Sequence, residues 1–121
     1  MKPHLALSVL APAGDQIRTG RKRLEIRKWQ PDTLPLRDLL IVQNQQRLSS
    51  TGLREDSAGK VSALVDVMAV REWRKEDLAA TCAAQWEPGW LAWELSNVRP
   101  LARIGAVPAR LRIYEIELPN E

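Results

Sequence analysis

The chain has 121 residues, of which 45% are hydrophobic, and it carries a formal net charge of +3 at pH 7. This length suits one domain over residues 1–121, and the apolar fraction argues against a disordered chain. A single cysteine, Cys82, and a single histidine, His4, exclude a disulfide framework, zinc fingers and Ser-His-Asp catalysis.

The sequence also carries no visible membrane or export signal. Its apolar runs are far too short to span a bilayer, and the segment from Met1 to His4 does not open a signal peptide. We therefore expect a cytoplasmic protein without a membrane partner, a metal or a cofactor.

The first half of the chain alternates strand and turn signals. Leu5, Leu7 and Val9 alternate with smaller or polar neighbours, as in a half-buried strand. A short helix is predicted from Pro12 to Thr19, because proline suits a first helical turn and Gly20 suits the position past a helix end. The next predicted elements are a strand carrying Leu24 and Ile26, a buried strand from Asp38 to Gln43, a long polar loop from Asn44 to Lys60 and a strand from Val61 to Val70.

The second half continues this mainly β pattern. Leu78, Cys82 and Trp86 recur at i, i+4 and i+8, which predicts a helix from Lys75 to Gln85 with Cys82 and Trp86 in the core. The remaining predictions are a strand from Trp90 to Val98, a loop containing Gly105 and Pro108, and a strand from Leu111 to Leu118. Because strands and helices do not alternate regularly, we predict a mixed, mainly β fold. This fold is a partly closed antiparallel β-barrel of about six strands with two or so flanking helices.

The segment "TGRKRLEIRKW" concentrates the basic charge. Between Arg18 and Lys28 there are six basic residues and one acid, whereas the remaining residues carry twelve basic and fourteen acidic groups. Alternation along a strand places Glu25 and Arg27 on one face, and Lys22 is close enough to reach it. Such a face is either a solvated surface with a weak ion pair or a site for an anion, and the spacing alone leaves both interpretations open.

The segment "GWLAWELSNVRPL" places one tryptophan on each face of a strand. Trp93 shares its face with leucines and is predicted to lie in the core. Trp90 shares its face with Glu94 and Ser96, so it is the better candidate for stacking against a base. The alternative is that both tryptophans are core residues.

Together, "IRTGRKRLEIR" and "GWLAWELSNVRPL" resemble the two hallmark segments of the ASCH domain family, within the PUA-like superfamily. The first segment matches a helix followed by G-x-K-x-x-E-x-R at Gly20, Lys22, Glu25 and Arg27. The second matches a tryptophan-rich strand that ends at Arg99. The resemblance covers almost the whole chain. It implies a small β-barrel whose charged strand lines a cleft proposed to bind RNA.

This resemblance implies a ligand and a set of binding residues. The ligand would be single-stranded RNA, a nucleotide or a modified nucleoside. Lys22 and Arg27 would meet phosphate or a base edge, and Glu25 would accept hydrogen bonds from an exocyclic amine. The full set of implied binding residues is Gly20, Arg21, Lys22, Glu25, Arg27, Trp90 and Arg99.

Hydrolysis is an alternative function. One branch of the family resembles an amidohydrolase that deacylates acetylated cytidine with a Lys and a Thr from this strand and an acid from elsewhere. Here Glu25 occupies the Thr position, which disfavours that activity, and Thr19 lies on the helix end. Ribonuclease activity would use Lys22 and Glu25 as its catalytic candidates. A scaffold that has kept only the fold, with a cleft plugged by its own side chains, is a third hypothesis.

Overall fold

The protein folds around one large β-sheet. A computed structural model describes residues 2–102 and 105–118. Its strands are β1 (Lys2–Leu10), β2 (Leu24–Arg27), β3 (Leu36–Asn44), β4 (Glu55–Glu72), β5 (Leu91–Pro100), β6 (Ala106–Arg110) and β7 (Ile113–Leu118). The helices are α1 (Ala13–Arg18) and α2 (Leu78–Thr81), and a 3₁₀ turn at Lys75–Asp77 leads into α2. In these ranges, no helix is long and apolar enough to cross a membrane.

The sheet order is β2-β5-β4-β3-β1-β7, and β6 pairs with the beginning of β4. Neighbouring strands are antiparallel except β1 and β3, which run parallel through the register of Leu7 with Ile41. β2 and β7 lie at opposite ends of this order, so the sheet is not closed. The predicted mainly β fold with flanking helices is confirmed, with seven strands in the described ranges where about six were predicted, in a sheet that does not close.

Apolar residues of β3 pack on both sides of the sheet. Leu39 and Ile41 belong to the cluster that buries Trp93, while Leu40 and Val42 belong to a second cluster. The continuous apolar run therefore forms a doubly buried strand, as its pattern predicts. A third, smaller cluster contains Leu24, Trp73 and Ala92, with Trp86 and Trp90 packed against it.

The helix predicted from Lys75 to Gln85 is wrong in its extent. α2 ends at Thr81 because Cys82 adopts a left-handed conformation, with φ of 56°. The i, i+4, i+8 spacing therefore does not form one helical stripe. Trp86 still packs against the third cluster and donates its indole N–H to the carbonyl oxygen of Trp73 at 3.1 Å. Cys82 is only half-buried, so its predicted place in the core is also wrong.

The loop that was predicted from Asn44 to Lys60 is shorter in the structure. β4 already begins at Glu55, because β6 pairs with its first residues. β6 itself lies in the segment that was predicted as a loop around Pro108. The last strand begins at Ile113 because Arg112 adopts a φ of 59°.

Gly59 allows β4 to lie close to β6 and β3. A Cβ atom at this position would lie 2.6 Å from the Val107 carbonyl oxygen and 2.8 Å from Cγ1 of Val42. We therefore expect Gly59→Ala to lower the free energy of unfolding by about 1–3 kcal/mol. Denaturant unfolding measures this change, with the exposed Ser57→Ala variant as a control. A Gly59→Ala protein as stable as the control would contradict this close packing.

Candidate functional site

Two neighbouring cavities lie beside β2, and together they are called the cleft. The larger has a volume of about 660 Å³ and the smaller about 310 Å³. They share a wall of five lining residues, so they lie side by side. The shared wall consists of Leu10, Ala13, Glu25, Ile26 and Arg47.

Glu25 is a buried carboxylate held between two cations in this wall. Its Oε1 lies 3.3 Å from Nζ of Lys22, and its Oε2 accepts hydrogen bonds from Nη2 and Nε of Arg27 at 2.7 and 3.1 Å. Glu25 is only 6% exposed and Lys22 only 7%. A solvated charged face therefore does not describe this pair.

The two cations are themselves anchored by backbone carbonyl groups. Nζ of Lys22 donates to the Thr81 carbonyl oxygen at 2.8 Å, and Nη2 of Arg27 donates to the Ser8 carbonyl oxygen at 2.8 Å. These bonds connect the charged strand to α2 on one side and to β1 on the other. The cluster is thus held in place from both sides of the cleft.

The environment of Glu25 keeps it ionised. Burial alone would raise the pKa of this carboxyl, but the charges of Arg27 and Lys22 and their hydrogen bonds outweigh burial and lower the pKa below its usual range. Glu25 is therefore a hydrogen-bond acceptor at neutral pH. Across the described part of the chain, no group of three or more His, Cys, Asp or Glu residues is placed to hold a metal ion.

The strand register fixes the position of Glu25 in the sheet. β2 pairs with β5 so that Glu25 lies opposite Trp93 and Leu24 lies opposite Glu94. The predicted division of faces holds, because Arg27 joins Glu25 in one ion pair while Leu24 packs in the third cluster. The alternation therefore identifies the charged face, but it does not show that this face is covered.

The larger cavity combines indole rings with polar groups from α2. Trp90 is half-buried, and Nζ of Lys28 lies 4.7 Å from the centroid of its ring. Trp73 is 3% exposed, and its indole Nε1 has no hydrogen-bond partner among the described residues. Thr81 is 2% exposed, and its hydroxyl donates to the Leu78 carbonyl oxygen at 2.7 Å.

The smaller cavity is lined by arginines from separate parts of the fold: Arg27, Arg47, Arg110 and Arg112. Arg110 is paired with Glu55 at 2.6 Å, and Cζ of Arg112 lies 4.0 Å from the centroid of the Trp29 ring. Arg47 forms no ion pair with a residue that the structure describes. Sequence reasoning missed Arg47, Arg110 and Arg112 because no local pattern links residues so far apart. It also missed Trp73 and Thr81 as residues that line the cleft.

The structure brings Lys22, Glu25, Arg27 and Trp90 together but places the other implied residues elsewhere. Gly20 and Arg21 are exposed just past α1, where the φ of 83° at Gly20 suits its position after a helix. In the described ranges neither residue lines the cleft, and neither does Arg99. Their assignment to nucleic-acid binding stays a prediction.

Arg99 instead belongs to a network around the buried Asp66, at the far end of β5. It lies eight residues from the strand start, roughly 26 Å along an extended chain. Its guanidinium contacts Asp38 at 2.6 Å and Asp66 at 2.9 Å. Asp66 also accepts hydrogen bonds from the Asp38 backbone N–H at 3.0 Å and the Asn97 side chain at 3.1 Å. Asp38 and Asn97 both have positive φ, beside register shifts in the strands.

The chain also matches a known protein family. A family model described as the ASCH domain matches residues 7–105. The chain belongs to the ASCH domain family. No curated protein matches the chain significantly.

Solved structures share the fold of this ASCH domain at low sequence identity. The crystal structure of ASCH from Zymomonas mobilis has a TM-score of 0.56 at 15% identity, covering 90% of this chain and 87% of that chain. A serine-to-alanine variant of the Zymomonas protein gives a TM-score of 0.52 at 18% identity, covering 84% and 73%. A tyrosine-to-phenylalanine variant gives 0.52 at 15% identity, covering 90% of both chains. At this identity the likeness establishes the fold.

Proposed function

We propose that this ASCH domain binds single-stranded RNA, or a nucleotide, in the cleft around Glu25. The observation that carries the proposal is the position of this ionised carboxylate, buried between a cavity with tryptophans and a cavity with arginines. Indole rings stack on bases, and arginines bind phosphate oxygens. Cavities of a few hundred Å³ are typical of small-ligand sites. The arrangement therefore suits a ligand with a planar part and an anionic part.

Glu25 supplies selectivity rather than affinity. A carboxylate in a basic site repels phosphate, so it weakens binding unless it contacts something specific. An ionised carboxylate offers about four acceptor positions. Lys22 and Arg27 use three of them, which leaves one for an exocyclic amine of a base. We therefore expect a preference for bases with an amino group over uracil.

The test is an anisotropy titration of a labelled single-stranded RNA at several salt concentrations. We expect the affinity to fall as salt rises, because phosphate binding releases counterions. Arg47→Gln should weaken binding and reduce the magnitude of the salt slope by about one ion's contribution, ~0.7. Arg54→Gln is the matched control, since Arg54 is exposed in the same loop and is not among the residues that line the cleft. An affinity that does not change with salt concentration would refute the proposal. So would equal losses of affinity in Arg47→Gln and Arg54→Gln.

A second candidate function is hydrolysis of RNA or of an acylated nucleoside such as acetylated cytidine. Thr81 favours it, because the residue whose carbonyl oxygen holds Lys22 also lines the larger cavity and carries a hydroxyl, which in this structure donates to the Leu78 carbonyl oxygen. The lowered pKa of Glu25 makes it a poor general base near neutral pH. Thr81 would then be the nucleophile and would pass its proton to Glu25 despite that weak basicity, while Lys22 stabilises the negative charge.

Product analysis after incubation with RNA or with acetylated cytidine tests this second candidate. We expect Thr81→Ala to abolish the turnover and Thr81→Ser to retain part of it. Substrates that stay intact with the wild-type protein would exclude hydrolysis while leaving RNA binding unaffected.

A further inference from the structure

We infer that the smaller cavity of the cleft is a phosphate subsite, so the ligand is a phosphorylated nucleotide and not a free nucleoside. This inference rests on the proposed function and deepens it. It assigns the base to the larger cavity and a phosphate group to the smaller one, on opposite sides of Glu25.

The first support is an excess of positive charge in the smaller cavity. Of its four arginines, Arg27 is neutralised by Glu25 and Arg110 by Glu55. Arg47 and Arg112 have no carboxylate partner among residues 2–102 and 105–118. Two arginines that line a cavity of about 310 Å³ thus lack a counter-charge from the described residues. A phosphate group carries the one or two negative charges that would balance them.

The second support is that Arg112 is held in place before a ligand arrives. It lies in the two-residue turn between β6 and β7 with a φ of 59°, a conformation that is unfavourable for a residue with a side chain. Its guanidinium lies 4.0 Å from the Trp29 ring centroid, within the range of a cation–π contact. An arginine already oriented in this way loses less conformational entropy when it binds phosphate.

The third support is a set of hydrogen bonds that positions the turn between β6 and β7. The Arg110 backbone N–H donates to Ser8 Oγ at 3.0 Å, and the hydroxyls of Ser8 and Tyr114 are 2.9 Å apart. Because the Tyr114 hydroxyl donates its one proton to the Pro108 carbonyl oxygen, Ser8 must donate to Tyr114. The Ser8 hydroxyl proton is then in use, so this hydroxyl is not a free donor for an anion, whereas Arg47 and Arg112 keep donors without a carboxylate partner.

Calorimetric titration of the four ribonucleosides, their 5′- and 3′-monophosphates and inorganic phosphate tests this subsite. For the base that binds best, we expect a monophosphate to bind at least about tenfold tighter than its nucleoside. Arg112→Gln should remove most of that difference and leave the affinity for the nucleoside unchanged. Arg54→Gln is the control, because Arg54 is exposed and is not among the residues that line the cleft.

A dinucleotide with only an internal phosphodiester separates the two sources of the phosphate. Binding as tight as that of the monophosphate assigns the subsite to the RNA backbone, and weaker binding assigns it to a terminal phosphate. Equal affinities for nucleoside and monophosphate would overturn the subsite, as would an RNA that binds while no monophosphate does. In both cases the proposed RNA binding would stand. The salt titration of single-stranded RNA tests that binding separately.

Discussion

Replacing Glu25 with alanine is expected to lower the free energy of unfolding by about 3–5 kcal/mol. The change leaves Lys22 buried without its carboxylate and removes the partner of Arg27. An uncompensated buried charge is costly because the surroundings replace little of its lost hydration. Denaturant unfolding followed by tryptophan fluorescence measures the loss.

A double variant isolates the electrostatic part of this effect. Lys22→Met in the Glu25→Ala background removes the unpaired cation, so we expect it to restore part of the lost stability. A double variant that is less stable by the sum of the two single losses would contradict a direct interaction between these side chains.

The stability contributed by Glu25 should depend on pH in a defined direction. Its pKa is lowered in the folded protein, so its contribution is fully present above the unfolded value of about 4.3 and is lost as pH falls through the folded pKa. We expect wild type to exceed Glu25→Gln in stability at neutral pH and the difference to shrink in acid. A difference that stays constant from neutral to acidic pH would show that the carboxylate charge has no role.

The second large effect is expected at Asp66. Asp66→Ala removes the acceptor for the Asp38 backbone N–H, the Asn97 amide and Arg99, and Asp66 is only 4% exposed. We expect the free energy of unfolding to fall by about 2–3 kcal/mol, because charged hydrogen bonds are lost and donors are left unsatisfied. Arg37→Gln should cost less than about 1 kcal/mol, since Arg37 is exposed and lies 3.7 Å from Asp66.

The Asp66 network should contribute to stability but not to RNA binding. Hydrogen bonds from the Asp38 backbone and from Asn97, together with the charge of Arg99, lower the pKa of Asp66, so this stabilisation too should be lost in acid. Because the network lies away from the cleft, Arg99→Gln should leave RNA affinity unchanged in folded protein. A clear loss of affinity would instead support the role that the sequence resemblance implies for Arg99.

Local patterns predict the strands and the charged face of β2 well. Successive side chains of a strand point to opposite faces. The order of Leu24, Glu25, Ile26 and Arg27 is therefore enough to show that Glu25 and Arg27 share one face. Likewise the apolar run of β3 predicts a strand buried on both sides. These features depend on residues close together in sequence.

Features made by distant residues were not predictable in the same way. The partners of Glu25 are anchored to α2 and β1 by hydrogen bonds from Lys22 and Arg27, and nothing within the strand encodes these contacts. Arg47, Arg110 and Arg112 meet in one cavity only through strand pairing. The end of α2 depends on the left-handed backbone of Cys82, and cysteine is not a residue type that predicts a turn.

The most direct test of RNA binding in the cleft is an NMR titration that follows the tryptophan indole N–H resonances. Trp73 and Trp90 line the larger cavity, whereas Trp93 is fully buried and donates its indole N–H to the Trp29 carbonyl oxygen. Addition of single-stranded RNA should shift the Trp73 and Trp90 resonances and leave that of Trp93 nearly unchanged. RNA that binds without shifting Trp73 or Trp90 would place the site elsewhere and contradict the proposed function.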